Sequence, residues 1–363
     1  MAKKLSSDIA LAATTVALLG FGLVMVWSAS SALAAERHGS AYHFVIRQSV
    51  WAVLGIAAMV TAMRFDYRRL RSPFVIHGSL ILTSLLLLTA LLMRPLNDTH
   101  RWIHLGPFSL QPAEMAKAVS VLFLAYLLEK RAGQIGEFLP TIFPAGLVVG
   151  WFAFLIVAQP DLGSALTLVL TACVLLFLGG LPLRWFAGLF LLGLPVVYQL
   201  VMAATYRRLR LSAFLNPWAD PLGAGYQIIQ SMIAIGTGGV SGVGLMEGKQ
   251  KLFYLPYPYS DFIFAVIGEE LGLIGALAVV AAFLVILWRG LRAAFHAPDA
   301  FGRFLAAGLT SAIVLQAFVN ISVVLGLVPT KGIPLPFLSA GGSSLLFTLV
   351  SVGLILNISQ HAD

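Results

Sequence analysis

Glu269 and Glu270 stand eight and nine residues after Asp261, in a stretch that is otherwise almost wholly apolar. At about 1.5 Å of rise per residue, a helix puts the two glutamates roughly 12–14 Å beyond the aspartate. Three carboxylates on one apolar helix cannot all face lipid, so at least Glu269 or Glu270 must face a protein interior. Other ionisable residues occupy similar places. Glu114 and Lys117, just after Pro112, are i, i+3 neighbours able to pair on one helix face. Arg101, Asp161 and Lys331 each adjoin an apolar run. Ionisable groups at membrane depth are costly and mark function by default. Arg101, Asp161, Asp261 and Lys331 all fall at the same set of span ends. That suits chemistry on a lipid-linked headgroup at one interface better than alternating access around a midplane site.

Each of these features also has a plain structural explanation. Pro112 suits the first turn of a helix, and Glu114 suits its positive end. Asp161 can cap the helix that follows Gln159-Pro160, and Asp261 could be another cap. Gln316 and Asn320, i, i+4 on one span, read as interhelical polar glue. The Pro/Gly-rich stretch Pro329–Ser344 is expected to re-enter the protein, since irregular backbone at depth needs a protein-lined or wet cavity. The glycines Gly236, Gly238, Gly239, Gly242, Gly244 and Gly248 fit no nucleotide motif. A phosphate-binding loop fails at Val243 and Gln250, and the dinucleotide fingerprint fails at Ser241. No nucleotide is expected, and a primary pump is excluded.

The elements that must position these residues follow from composition. Of 363 residues, 59% are hydrophobic and 10% charged, with mean hydropathy +0.93 and net charge +8. A soluble domain carries about 25% charged residues. Such a chain is not a cytosolic enzyme, a disordered chain or a nucleic-acid binder. Its one cysteine, Cys173, lies in an apolar run, so no intrachain disulfide or thiolate cluster can form. The expected fold is an all-α polytopic membrane protein of one domain, residues 1–363, with about ten spans.

These spans centre on Ile9–Trp27, Val50–Met63, Phe74–Met93, Met115–Leu128, Ile142–Val157, Ser164–Leu178, Trp185–Ala204, Phe262–Trp288, Phe304–Leu327 and Ser343–Ile358. The first imitates a signal peptide ending in Ala32-Leu33-Ala34, but its apolar run exceeds the roughly 7–15 residues of a signal core, so it reads as a retained helix. With the N-terminus inside, cytoplasmic segments hold twelve cations: Lys3, Lys4, Arg64, Arg68, Arg69, Arg71, Lys130, Arg131, Arg184, Arg289, Arg292 and Arg303. Short outer loops hold five: Arg37, Arg47, Arg94, Arg101 and Lys331. Both termini are therefore expected to be cytoplasmic. Residues 206–260 form one long extracytoplasmic loop between the seventh and eighth spans, too long for a simple connection and too apolar for disorder.

The motifs together resemble the SEDS family (shape, elongation, division and sporulation), the membrane peptidoglycan glycosyltransferases of the FtsW and RodA type. The resemblance runs over nearly the whole chain. It is carried by Arg101-Trp102-Ile103, Gln111-Pro112-Ala113-Glu114-Met115-Ala116-Lys117, Gln159-Pro160-Asp161-Leu162-Gly163 and Gly225-Tyr226-Gln227 with Gln230-Ser231. Further along stand Gly242-Val243-Gly244-Leu245, Gln250-Lys251, Asp261-Phe262-Ile263-Phe264, Gly268-Glu269-Glu270-Leu271-Gly272 and Pro334-Leu335-Pro336-Phe337 with Ser339 and Gly341-Gly342-Ser343. Thr330-Lys331-Gly332 looks more like the division-type member than the elongation type. The family usually has His-Thr where this chain has Tyr259-Ser260, and often an aromatic where Ala340 stands.

The resemblance implies polymerisation of lipid II on the outer face of the bacterial cytoplasmic membrane, in septal wall synthesis. It makes Asp261 the catalytic base, taking a proton from the attacking sugar hydroxyl. Arg101, Lys331, Lys249, Lys251 or a divalent cation (Mg or Mn) would meet the charge developing on the undecaprenyl diphosphate leaving group. Asp161, Gln227, Ser231 and Ser339 are read as substrate-binding. Glu114, Lys117, Glu269, Glu270, Gln316 and Asn320 are read as structural or positioning. The implied partners are a class B penicillin-binding protein, other divisome or elongasome proteins and membrane lipids, with no nucleic acid. A lipid II flippase would use the same polar cavity without glycosidic chemistry. A pure scaffold would leave the buried carboxylates unexplained.

Overall fold

The computed structural model describes residues 7–93, 100–106 and 108–361. It contains twelve α-helices: α1 (Ile9–His38), α2 (His43–Arg64), α3 (Pro73–Leu92), α4 (Pro112–Lys130), α5 (Phe143–Ala158), α6 (Leu162–Leu178), α7 (Leu183–Met202), α8 (Thr205–Leu215), α9 (Tyr226–Gly238), α10 (Ile263–Phe295), α11 (Ala300–Val324) and α12 (Ser343–Ser359). Every one of the ten expected spans is helical, and α8 and α9 lie within the long loop. A short antiparallel hairpin, β1 (Ile103–Leu105) with β2 (Phe108–Leu110), precedes α4.

Among the described residues, seven helices are long and apolar enough to cross a bilayer: α1, α2, α3, α5 with its leading π-helical turn from Phe138, α7, α10 and α11. The chain is a multi-pass membrane protein. At 17 residues each, α6 and α12 are apolar but shorter. α4 carries Glu114, Lys117, Glu129 and Lys130 in its 19 residues. It is held inside the protein rather than against lipid, with Glu114 and Lys117 both buried.

The helix ends sort cleanly. At one end the Asp8 carboxylate, which caps α1, pairs with Arg289 at 2.7 Å, and the Asp8 amide donates to Ser359 Oγ. Arg68 pairs with Asp299, Arg71 with Glu129, and Asn357 Nδ2 donates to the Met63 carbonyl. That end gathers Arg64, Arg68, Arg69, Arg71, Lys130, Arg289, Arg292 and Arg303, the cationic face expected in the cytoplasm. Lys3, Lys4 and Arg94 lie outside the described residues. The opposite end holds Arg101, Asp161, Asp261 and Lys331.

Burial distinguishes centre from rim. In α11, 72% of the span is buried, whereas α7 buries none of its residues. A run of small residues, Ala306-Ala307-Gly308, suits α11 to the close approach of neighbours at the bundle centre.

Two irregular segments penetrate the bundle. The loop between α11 and α12 does re-enter. Its Ile333, Leu335, Phe337, Leu338 and Ser339 are buried, and Phe337 packs on Phe283, well along α10. Gly22, near the middle of α1, lets this loop pass: a β-carbon there would stand 2.4 Å from the Phe337 carbonyl oxygen. The second segment covers a break in α10, where Gly272 leaves helical conformation (φ 63°, ψ −160°). The break takes two carbonyls out of the helix ladder. The glycine-rich chain after α9 satisfies them: Val243 and Gly244 amides donate to Glu269 and Glu270 carbonyls at 3.0 Å each. The glycines that matched no nucleotide motif therefore serve close backbone packing. The long loop is accordingly built structure, two helices and a buckle against α10.

Candidate active site at the outer end of the bundle

A cavity of about 660 Å³ opens at the end of the bundle opposite the cationic face. Its apolar wall comes from α7 (Leu194, Val197, Val201, Met202), and its polar side from Arg101, Asp161, Arg207, Arg210, Thr330 and Lys331. Asp261 lies at its edge. The Asp261 carboxylate rests over the cavity-lining Gly332, Oδ2 being 3.0 Å from where a β-carbon would stand. Five separate segments thus converge: the strand approach at Arg101, the start of α6, helix α8, and the two loops that precede α10 and α12.

Asp161 does cap α6. Its Oδ1 accepts from the Ser164 amide at 3.1 Å, and its Oδ2 accepts from Ser164 Oγ at 2.8 Å and Gln111 Nε2 at 3.3 Å. Arg101 Nε stands 3.8 Å from the same oxygen, while Arg101 Nη2 donates to the Pro160 carbonyl at 2.6 Å. Asp161 is thus committed to partners and is 2% exposed. Asp261 differs. It is not a helix cap, since Phe262 holds the cap position of α10. Its main-chain carbonyl is gripped by Asn320 Nδ2 at 2.8 Å, which leaves the carboxylate facing the cavity edge.

The electrostatics separate the groups. Burial pushes the Asp261 carboxyl up to about 6, against the opposing pull of Arg101 and Arg210. Burial lowers the Lys331 ammonium to about 8, and Asp161 acts in the other direction. The Arg210 guanidinium is lowered by burial and by Arg101, a cation facing a cation. The cavity therefore presents a cluster of cations, Arg101, Arg207, Arg210 and Lys331, beside a carboxylate with a proton affinity suited to a general base.

Behind the cavity runs a buried polar rail. Lys117 Nζ bonds Glu114 Oε1 at 2.9 Å and also Gln316 Oε1. Gln316 Nε2 donates to the Pro334 carbonyl at 3.0 Å, and Asn320 Nδ2 donates to the Ile333 carbonyl at 2.7 Å. The Gln316–Asn320 pair was expected as interhelical glue. Gln316 does join α11 to α4, but Asn320 instead ties two loops. Local turns need these donors because a buried irregular backbone has no ladder of its own.

A family model described as cell cycle protein, covering FtsW, RodA and SpoVE, matches residues 9–363. The chain belongs to this family. It is 46% identical to a probable peptidoglycan glycosyltransferase FtsW of Geobacter metallireducens, over 98% of this chain and 95% of that protein. It is 43% identical to the stage V sporulation protein E of Bacillus subtilis, over 99% of both. Among solved structures, it is similar to a chain of a peptidoglycan synthase complex that coordinates polymerization and crosslinking (33% identity, TM-score 0.80, 98% of both chains covered). It is also similar to the rod shape determining protein RodA of Thermus thermophilus (28% identity, TM-score 0.73, 98% and 97% covered).

Within this family member, several residues read as substrate-binding are placed elsewhere. Lys251 does not reach the cavity. It forms a buried ion pair with Glu270 at 2.7 Å, joined by Ser28 Oγ and the Met246 carbonyl. Lys249 is exposed, and its amide, with that of Gln250, donates to the Glu269 carboxylate. Both glutamates are thus interior, as required, and act as anchors for the glycine-rich buckle. Ser231 donates to the Val324 carbonyl at 2.7 Å, and Gln227 lies on α9, off the cavity wall. Ser339 Oγ donates to the Ser260 carbonyl at 2.5 Å and accepts from the Leu335 amide, so it braces the Asp261 loop from behind.

Sequence reasoning missed Arg210 and Arg207. They open the long loop as part of a basic run, but their i, i+3 spacing puts them on one face of α8, away from Arg208. That spacing was the available signal. As for a divalent cation, no three His, Cys, Asp or Glu side chains among the described residues form a metal-holding group. Asp161 is committed to donors from Ser164, Gln111 and Arg101.

Proposed function

We infer that this protein is a peptidoglycan glycosyltransferase of the division type, working at the outer face of the cytoplasmic membrane and polymerising lipid II. One observation carries the reading: Arg101, Arg210 and Lys331 line a half-apolar cavity whose edge holds the Asp261 carboxylate. A lipid-linked diphosphate sugar needs all three features at once. The apolar wall suits a polyprenyl chain, the cations suit the diphosphate, and the carboxylate suits a hydroxyl proton.

In this mechanism Asp261 accepts the proton of the acceptor sugar hydroxyl as that oxygen attacks the anomeric carbon of the donor. The bond from that carbon to the diphosphate breaks, and Arg101, Arg210 and Lys331 stabilise the charge that develops on the leaving oxygens. A single displacement inverts the configuration, through an oxocarbenium-like transition state. Removing one such fixed cation from a site of this kind costs about 10²–10³ in rate. No step is assigned to a metal. A crosslinking transpeptidase, the class B penicillin-binding protein, is the partner that the polymerase reading calls for.

The test is polymerisation of purified lipid II by the reconstituted protein with its partner, in wild-type and Asp261→Asn form. Glycan from the wild type and none from the variant is expected. Wild-type-like strands from Asp261→Asn would overturn the role of Asp261. Transbilayer movement of labelled lipid II without any glycan would favour a flippase.

A further inference from the structure

Three consecutive carbonyls lead into Asp261, and each accepts a bond from the re-entrant loop or from α11. The Tyr259 carbonyl accepts from the Ala340 amide at 2.9 Å, and the Ser260 carbonyl from Ser339 Oγ at 2.5 Å. The Asp261 carbonyl accepts from Asn320 Nδ2 at 2.8 Å. The backbone at the carboxylate is thus fixed residue by residue. What supports Ser339 and Tyr259 in turn lies away from the cavity, on α2.

Phe44, Gln48, Trp51, Gly55 and Met59 recur at intervals of three and four, so they share one face of α2. The last four are buried, whereas Ile46 and Val53 on the other face are exposed. Gln48, the only carboxamide in α2, is 3% exposed, and a buried amide needs a partner. Its Nε2 donates to the Ser339 carbonyl at 2.9 Å. That carbonyl also accepts from the Gly341 amide at 2.8 Å, while Ser339 Oγ accepts from the Leu335 amide at 2.8 Å. Ser339 therefore meets α2 through its carbonyl and the Asp261 segment through its hydroxyl. One helical turn before Gln48, the Phe44 ring stacks on Tyr259 with centroids 4.4 Å apart. Polar glue between helices would join Gln48 to a neighbouring helix. Here it reaches a loop residue that grips the peptide before Asp261.

We propose that Gln48 is a positioning residue for Asp261, acting through Ser339 to hold the carboxylate in its buried place at the cavity edge. Its bearing on catalysis rests on the polymerase reading. Without the Gln48 donor, Ser339 keeps only the bonds of its own turn, and its hydroxyl is free to leave Ser260. The Asp261 carboxylate then swings toward water. Burial holds the proton affinity of this group up, with Asp161 acting the same way, against Arg101, Arg210 and a hydrogen bond from Ser260. Hydration therefore makes it a weaker base. Lys331, eight residues before Ser339, is anchored separately through the bond from Asn320 to the Ile333 carbonyl. Loss of Gln48 should thus impair the base and spare the cations.

The test reads the carboxyl itself. Full-length protein in lipid nanodiscs is titrated with acid and followed by the infrared band of protonated carboxyls, the Asp261 part being the one lost in Asp261→Asn. The wild-type midpoint should lie at about 6. Gln48→Met keeps the side-chain length and loses the donor, so its midpoint should fall, with proton affinity reduced about threefold or more. Gln48→His, which restores an N–H donor, should bring the midpoint back. With lipid II as substrate, Gln48→Met should lower kcat about tenfold and leave KM within about twofold. Added to Ser339→Ala, Gln48→Met should cost little more, because its route is already cut. Met59→Ala removes packing from the same face of α2 and should lower the melting temperature without moving the midpoint. A wild-type midpoint in Gln48→Met overturns the proposal, whatever the melting temperature of that variant. Full additivity with Ser339→Ala overturns it too, as does an equal shift from Met59→Ala. Wild-type protein that makes no glycan, with the infrared shifts as expected, would overturn the polymerase reading alone, since that arm needs no turnover.

Discussion

The side-chain amide nitrogen of Asn320 lies 2.8 Å from the main-chain carbonyl of Asp261. Its second hydrogen goes to the Ile333 carbonyl at 2.7 Å, two residues from Lys331. One NH₂ group on the largely buried α11 therefore sets the spacing between the carboxylate loop and the cation loop. Asn320 is 1% exposed, so water cannot replace it.

Asn320→Leu should leave both carbonyls unpaired, at about 1–3 kcal/mol each. The expected result is a fall in kcat of about tenfold or more, alongside a lower melting temperature. Gln316→Leu frees the Pro334 carbonyl, which is further from Asp261, and should reduce kcat less. Steady-state kinetics and thermal unfolding on the same preparations check this. A purely structural role would lower the melting temperature while leaving kcat per folded molecule unchanged.

The pH profile should be bell-shaped. Asp261 must be ionised to accept a proton, so activity falls as pH drops through about 6. Lys331 must be protonated to hold a diphosphate, so activity falls again as pH rises through about 8. Lys331→Arg should keep the acid limb and move the alkaline limb upward, because a guanidinium stays charged. Stability carries the opposite sign from a usual ion-paired aspartate. The folded protein binds the Asp261 proton more tightly than the unfolded chain, so this group weakens the fold as pH rises from about 4 to about 6. Asp261→Asn should therefore raise the melting temperature at pH 8, and the gain should shrink below pH 6. An Asp261→Asn protein less stable than wild type at pH 8 would contradict the burial that raises this carboxyl.

Gly22→Ala should damage the site from a distance. The added methyl would press on the Phe337 carbonyl, a backbone atom that cannot rotate away. The loop bearing Lys331 would shift, with a loss of about 1–3 kcal/mol in stability and a higher KM for the lipid substrate. Gly20→Ala, two residues earlier with no atom within 4 Å, is the control and should be silent. Equal effects from the two changes would show that the close approach does not matter.

What the residues announced in advance was whatever depended on local pattern. Ten apolar runs became ten helices, Asp161 became a cap, Glu114 and Lys117 paired at i, i+3, and Glu269 and Glu270 turned inward. What stayed hidden depended on which segments meet. Lys251 looks like any loop cation until its Glu270 partner, nineteen residues on, is seen across the glycine buckle. Arg210 looks like part of a basic run until α8 forms and sets Arg207 and Arg210 on the cavity wall. The glycines looked like a failed nucleotide motif because their actual role, relieving contact with a broken helix, leaves no fixed spacing.

α7 lends seven residues to the cavity wall and buries none of them inside the protein. Its outer face, Leu189 to Leu192 included, meets lipid directly. A single helix thus separates the reactive cavity from the acyl chains of one leaflet. For a substrate arriving through that wall, the operative concentration is its mole fraction in the leaflet, a two-dimensional quantity. The rate would then respond to dilution by other lipids at constant molarity, as well as to how much substrate is added to the tube.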